Sequence, residues 1–170
     1  DVPEWDSEEG GLETGATWSG RLKGSPGFMA PEQAVEGGRT TEQTDVYGLG
    51  AVLYYILTGS LPINGGNANE VLENTRRGKV VSLHSPRWHK RIPKGLAAVT
   101  MKALSLDPAQ RYGSADDFRQ ELTRYLHGFP TAAENAGLLT ILRLFYRRNP
   151  IRCNIVLVAI MVINLLIAIS

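Results

Sequence analysis

Apolar residues recur along the middle of the chain at spacings that predict helices, and no run alternates in the manner of a strand. From Thr44 to Thr58 nearly every position is apolar, with Val46, Leu49, Val52, Leu53, Ile56 and Leu57 carrying the pattern and Gly59 supplying a stop. Such a segment reads as a helix buried on most sides. Asn69 to Gly78 reads as a short surface helix with an Asn cap, and with Arg76 and Arg77 in the last turn where positive charge suits the helix dipole. Pro93 to Leu106 has proline at its start and Leu96, Val99, Ala103 and Leu104 on one face. Ser114 to His127 opens on a capping Ser with first-turn acids, and carries Phe118, Leu122, Tyr125 and Leu126. The pattern predicts a mainly α protein without internal repeats.

The two ends depart from this pattern. Residues 1–13 hold six acidic side chains (Asp1, Glu4, Asp6, Glu8, Glu9, Glu13) and no basic one, and Gly10, Gly11, Gly15 and Gly20 punctuate the stretch up to Arg21, so it reads as an exposed loop. An acidic start is the opposite of a secretory leader, and Asp1 reads as a cut point inside a longer protein. Cys153 to Ser170 runs 18 residues without a charge. As a helix it would be about 27 Å long, close to the thickness of a hydrocarbon core. It is apolar all round, so it reads as a transmembrane helix, the alternative being a buried core helix. Arg143, Arg147, Arg148 and Arg152 lie just upstream with no acid among them, and this positive flank predicts that residues 1–130 face the cytoplasm. Leu138, Leu139, Ile141, Leu142, Leu144 and Phe145, interleaved with Thr140 and Arg143, suit a short helix lying in the bilayer interface.

Composition narrows the chemistry. With 18 Lys+Arg against 17 Asp+Glu the formal charge is +1, which provides no global field to attract nucleic acid, so no nucleic-acid partner is expected. A single Cys excludes a disulfide framework and a Cys-rich zinc site, and His84, His89 and His127 lack ligand spacing. Trp5, Trp18 and Trp88 read as packing residues. Val71 to Lys94 carries Arg76, Arg77, Lys79, Arg87, Lys90, Arg91 and Lys94 against Glu73 alone, a face for an acidic substrate or an anionic leaflet, or simply a solvated loop.

Three strings carry the functional signal. Gly24-Ser25-Pro26-Gly27-Phe28-Met29-Ala30-Pro31-Glu32 is followed by Thr44-Asp45-Val46-Tyr47-Gly48-Leu49-Gly50 and then by Asp107-Pro108-Ala109-Gln110-Arg111-Tyr112. In this order and at these spacings they closely resemble the C-terminal lobe of the eukaryotic-like, bacterial-type serine/threonine protein kinases, over roughly residues 20–128. The resemblance implies the C-terminal helical lobe of the protein-kinase-like fold, followed by a C-terminal transmembrane helix. It divides the chain into an activation-segment loop with a truncated start (residues 1–23), the kinase C-lobe (24–128), a basic juxtamembrane linker (129–152) and the membrane helix (153–170).

On its own, Glu32 is an ordinary acid near a helix start, and Asp45 an ordinary cap or first-turn acid. The resemblance assigns both a structural role. It pairs Glu32 with Arg111, and it has Asp45 accept backbone N–H bonds from the catalytic loop. Gly24, Ser25 and Pro26 correspond to the loop that receives the peptide substrate. Ser25 stands where the family usually has Thr, keeping the hydroxyl expected to bond the catalytic Asp and Lys. Phe28 replaces a more frequent Tyr, Tyr47 a Trp, and Gly48 a Ser. Thr14, Thr17 and Ser19 are candidate activation-loop phosphosites, where a phosphate could recruit an Arg and order the loop.

Kinase chemistry needs a Gly-rich loop, a Lys paired with a helix Glu, a catalytic Asp, and Asp and Asn ligands for Mg²⁺. None of these motifs occurs in the chain, so no catalytic, cofactor-binding or metal residue is assigned within it. The resemblance implies a parent protein that uses ATP and Mg²⁺ to phosphorylate protein Ser or Thr, single-pass in the membrane with its kinase domain on the cytoplasmic side. This stretch would supply the activation segment, substrate loop and helical support, and would be inactive alone. Its implied partners are protein substrates, the N-terminal kinase lobe and the lipid bilayer, with homodimerisation left open. The alternative is a pseudokinase scaffold that signals without catalysis. A third reading, chance strings in a helical membrane protein, would leave Glu32 and Arg111 far apart.

Overall fold

The computed structural model describes residues 27–85, 88 and 91–169, with Ile169 described by its backbone alone. Among the described residues six α-helices succeed one another: α1 (Glu42–Thr58), α2 (Ala68–Arg76), α3 (Lys94–Ala103), α4 (Ala115–Leu126), α5 (Leu138–Arg148) and α6 (Pro150–Ile169). Short 3-10 turns lie at Pro31–Ala34, Pro108–Gln110 and Ala132–Glu134, and no strand occurs among the described residues.

Helix α1 is the centre against which α3 and α4 pack. Its C-terminus is set by Gly59, which takes a left-handed φ of 66° and donates its N–H to the Tyr55 carbonyl at 2.7 Å. A residue without a Cβ meets this conformation at least cost. A second glycine sets the helix spacing, since a Cβ on Gly50 would come within 2.7 Å of the Ala103 Cβ on α3. One cluster then gathers Tyr47, Ala51 and Tyr54 of α1 with Leu83, Trp88, Ile92, Ala97 and Leu104. Another gathers Val46 with Val99, Ala103, Tyr112 and Phe118. A third seats Met29 and Ala34 of the early segment on Leu72 of α2.

Two expectations are corrected. Helix α1 is not buried on most sides: Leu49, Val52, Tyr55 and Ile56 are exposed, Ile56 to 71%. An all-apolar segment has no polar face to show which side will be left uncovered, and α3 and α4 cover only part of α1. The second concerns α2, which starts at Ala68 and takes its cap from Asn67, whose side chain accepts the Glu70 N–H at 2.9 Å. Asn69 lies inside the first turn. Helix α4 has Ser114 as cap, accepting from the Asp117 N–H at 3.1 Å.

Helix α6 is exposed along its described length apart from the partly covered Cys153, and over Pro150–Ala168 it is long and apolar enough to cross a membrane. It begins three residues before the first position of the uncharged run, placing Arg152 in its first turn.

Candidate functional site: an arginine clasp

The site begins with two prolines. Pro31 opens the turn that carries Glu32, and Pro108 opens the turn that precedes Arg111. Proline at a first helical position has φ already set and lacks only an N–H that would have no helical partner there. Asp107 caps the second turn by accepting the Ala109 N–H at 2.9 Å, and the chain leaves in extended conformation at Arg111. Its side chain passes inward, and none of it is exposed.

Arg111 uses all five of its N–H donors. Nη1 and Nη2 donate to Glu32 Oε1 and Oε2 at 2.7 and 2.8 Å, a two-pronged pairing. Nε donates to the Ser105 carbonyl at 2.8 Å, Nη1 also to the Gln43 carbonyl at 2.9 Å, and Nη2 also to that of Leu106 at 3.2 Å. The guanidinium lies over the Tyr47 ring, 4.9 Å from its centroid, adding a cation–π contact. One side chain thus joins the turn at Pro31–Ala34, the start of α1 and the segment after α3.

Glu32 is held from two further directions. Thr44 Oγ1 donates to Oε1 at 2.8 Å while accepting the Thr41 N–H at 3.0 Å, so the start of α1 is fastened to the same carboxylate. Burial pushes the Glu32 carboxyl up, but hydrogen bonds from Arg111, its own backbone N–H and Thr44, with the nearby Arg111 charge, outweigh it and hold the group below its ordinary range. The Tyr47 hydroxyl moves the other way, pushed up to about 12 chiefly by burial, with Arg111 opposing and Glu32 reinforcing. Its oxygen is buried without a hydrogen-bond partner among the described residues. Nothing in this cluster is set up to move a proton: it is a static brace between an ionised acid and a permanent cation.

Asp45 stands apart. It lies in the first turn of α1, its side chain is exposed, and it makes no side-chain hydrogen bond or ion pair among the described residues. On the helix it heads a stripe continued by Leu49, Val52 and Ile56, the exposed face of α1. Gly24, Ser25, Pro26, Thr14, Thr17 and Ser19 lie outside the described residues, as do Arg87, His89 and Lys90. Arg76 and Arg77, read as part of a basic face, are both engaged within the protein: Arg76 Nε donates to the Ala34 carbonyl at 2.6 Å, and Arg77 Nε to Glu73 at 2.8 Å. Sequence reasoning missed the roles of Thr44 and Arg76. Thr44 sits beside Asp45 and signals only a helix start, and nothing about Arg76 marks it as the residue that ties α2 to the turn containing Glu32. Among the described residues no group of three or more His, Cys, Asp or Glu could hold a metal ion.

The protein kinase domain family matches residues 12–122, a span that contains the clasp and α1. The serine/threonine-protein kinase PknD of Chlamydia felis is 34% identical over 121 residues, covering 71% of this chain and 12% of the relative. Its counterpart in Chlamydia pneumoniae is 34% identical over 124 residues, covering 73% and 13%. That of Chlamydia abortus is 32% identical over 131 residues, covering 77% and 14%. The chain belongs to the protein kinase domain family. It spans about an eighth of the length of these relatives.

Proposed function

We propose that this chain is the substrate-side helical lobe of a membrane-anchored serine/threonine protein kinase that transfers the ATP γ-phosphate to protein Ser or Thr. The observation that carries the reading is the five-bond seating of Arg111 under Glu32, which fastens the turn following the substrate loop to the helical core. A peptide-binding loop must be held still for in-line transfer, and a clasp of this kind supplies that rigidity. Gly24, Ser25 and Pro26 form the substrate loop in this reading, and Thr14, Thr17 and Ser19 are sites whose phosphorylation orders the activation segment. Asp45 and the apolar stripe behind it receive the catalytic loop from the remainder of the kinase domain, which also supplies the groups that hold Mg-ATP. The lobe occupies residues 24–128, with the activation segment before it, a basic linker at 129–152 and the membrane helix from 153.

Anchoring is inferred from α6, and the basic flank of Arg143, Arg147, Arg148 and Arg152 supports a kinase on the cytoplasmic side. The test is radiolabelled phosphate transfer by the parent protein, complete through its nucleotide-binding lobe, in Mg-ATP. Labelled phosphoserine or phosphothreonine is expected, with Ser25→Ala slowing transfer by about 10- to 100-fold, the worth of a lost hydrogen bond to a charged group. A folded parent that transfers nothing would make the lobe a scaffold without catalysis.

A further inference from the structure

Helix α5 is amphipathic, and it faces the wrong way for a helix of a soluble lobe. At about 100° per residue, Leu138, Ile141, Leu142 and Phe145 share one face, continued by Leu139 and Tyr146. All six are exposed, Leu138 and Leu139 to 79% and 83%. The side turned towards the lobe is a different one: Thr140 and Leu144 are partly covered, and Thr140 lines a cavity with Ala97 and Ala98 of α3. Arg143 and Arg148 border the apolar face and Arg147 lies opposite it.

The helix is also fixed at its C-terminal end. The Arg148 guanidinium sits 3.9 Å from the Phe129 ring centroid, tying α5 to the segment after α4. Across the junction with α6, the Tyr146 hydroxyl donates to Asn154 Oδ1 at 2.9 Å. The apolar face is therefore held outward and continues directly into the helix apolar enough to span a bilayer.

We propose that α5 lies in the headgroup region of an anionic membrane leaflet, its apolar face sunk towards the acyl chains and Arg143 and Arg148 on lipid phosphates. The proposal rests on the reading of α6 as a membrane span. Charge selects this occupant over a second copy of the chain: from Asn135 to Ser170 there are four Arg and no Asp or Glu, so two such faces would bring like charges together, whereas an anionic surface neutralises them. The consequence is a lobe held at a set angle on the bilayer and not swung on a loose tether.

The test uses the full chain in vesicles of phosphatidylcholine with phosphatidylglycerol. In a Cys153→Ser background, nitroxides are placed singly through Leu142→Cys, Arg147→Cys and Ile160→Cys, and their collisions with oxygen and with a water-soluble nickel complex are compared. Oxygen should dominate at 142 and 160 and nickel at 147. The oxygen-to-nickel ratio at 142 should fall at least about threefold in phosphatidylcholine alone, or when Arg143 and Arg148 are both replaced by Gln, while 160 is unchanged. Nickel access at 142 with 160 still buried overturns the interfacial helix and leaves the span standing. Nickel access at 160 overturns the span and this proposal with it. Spin–spin broadening at 142 that disappears on dilution with unlabelled protein means a second copy occupies the face, and overturns the lipid assignment. Equal ratios in the two lipids overturn the requirement for anionic headgroups.

Discussion

Arg111 and Glu32 meet across 79 positions of sequence, with both carboxylate oxygens within 2.8 Å of the guanidinium. Because the Arg side chain is wholly buried and Glu32 is 16% exposed, the pair is not a surface ion pair of negligible worth. Removing one partner strands a buried charge.

Arg111→Met should therefore destabilise the lobe by about 3 kcal/mol, read as a lower urea midpoint at unchanged slope, since it leaves the Glu32 carboxylate and the Ser105 carbonyl without their donor. Exchanging the charges, with Glu32→Arg and Arg111→Glu together, should not restore stability. Three backbone carbonyls point at position 111 and would repel a carboxylate. Full recovery in the exchanged protein would show that charge attraction alone, without those carbonyls, accounts for the pair.

The clasp should weaken in acid. Glu32 has its folded pKa lowered beneath the ordinary 4.5, so it releases its proton more readily folded than unfolded. Its contribution is therefore fully present above about pH 4.5 and disappears as pH falls through the lower folded value. Glu32→Gln should cost stability at neutral pH and progressively less below that point. A difference between the two proteins that stays constant from neutral pH into strong acid would contradict the assignment.

Tyr47 keeps its ring under Arg111, yet its buried hydroxyl has no hydrogen-bond partner among the described residues. Tyr47→Phe retains the stacking and removes the orphaned oxygen, and should stabilise the lobe by about 1 kcal/mol. Calorimetry would decide it, a lowered melting temperature revealing that the hydroxyl has a partner in solution.

Gly50 allows α1 and α3 to approach, and an added methyl has nowhere to go, the nearest atom being the Ala103 Cβ at 2.7 Å. Gly50→Ala should destabilise by about 1–3 kcal/mol despite the better helix propensity of alanine. Stabilisation would mean the two helices separate at little cost.

Much of the fold is legible in the sequence because local chemistry and global fold agree. The helix start at Ser114 and the stop at Gly59 are written in single residues with one preferred conformation. The mainly α character rests on the same signals, and the kinase family on three motifs in order. The uncovered face of α1 is hidden because Leu49, Val52 and Ile56 are as apolar as the covered residues Val46 and Ala51, and exposure depends on what packs against them. Thr44 and Arg76 are invisible for a related reason: each acts through one hydrogen bond to a segment distant in sequence, and such bonds leave no periodicity behind. The Ser105, Gln43 and Leu106 carbonyls belong to the backbone and carry no residue signature at all.

Asp45 gives the most direct test of the proposed kinase, because it is exposed and unpaired among the described residues and yet is assigned the catalytic loop. The measurement is the phosphate-transfer rate of the complete parent protein with Asp45→Asn, alongside its melting temperature. A neutral amide keeps the shape but loses the charge that strengthens bonds from backbone N–H groups, so transfer should fall by about 10- to 100-fold with the protein still folded. An unchanged rate would contradict the account, leaving Asp45 an ordinary first-turn acid and the exposed face of α1 without its assigned role.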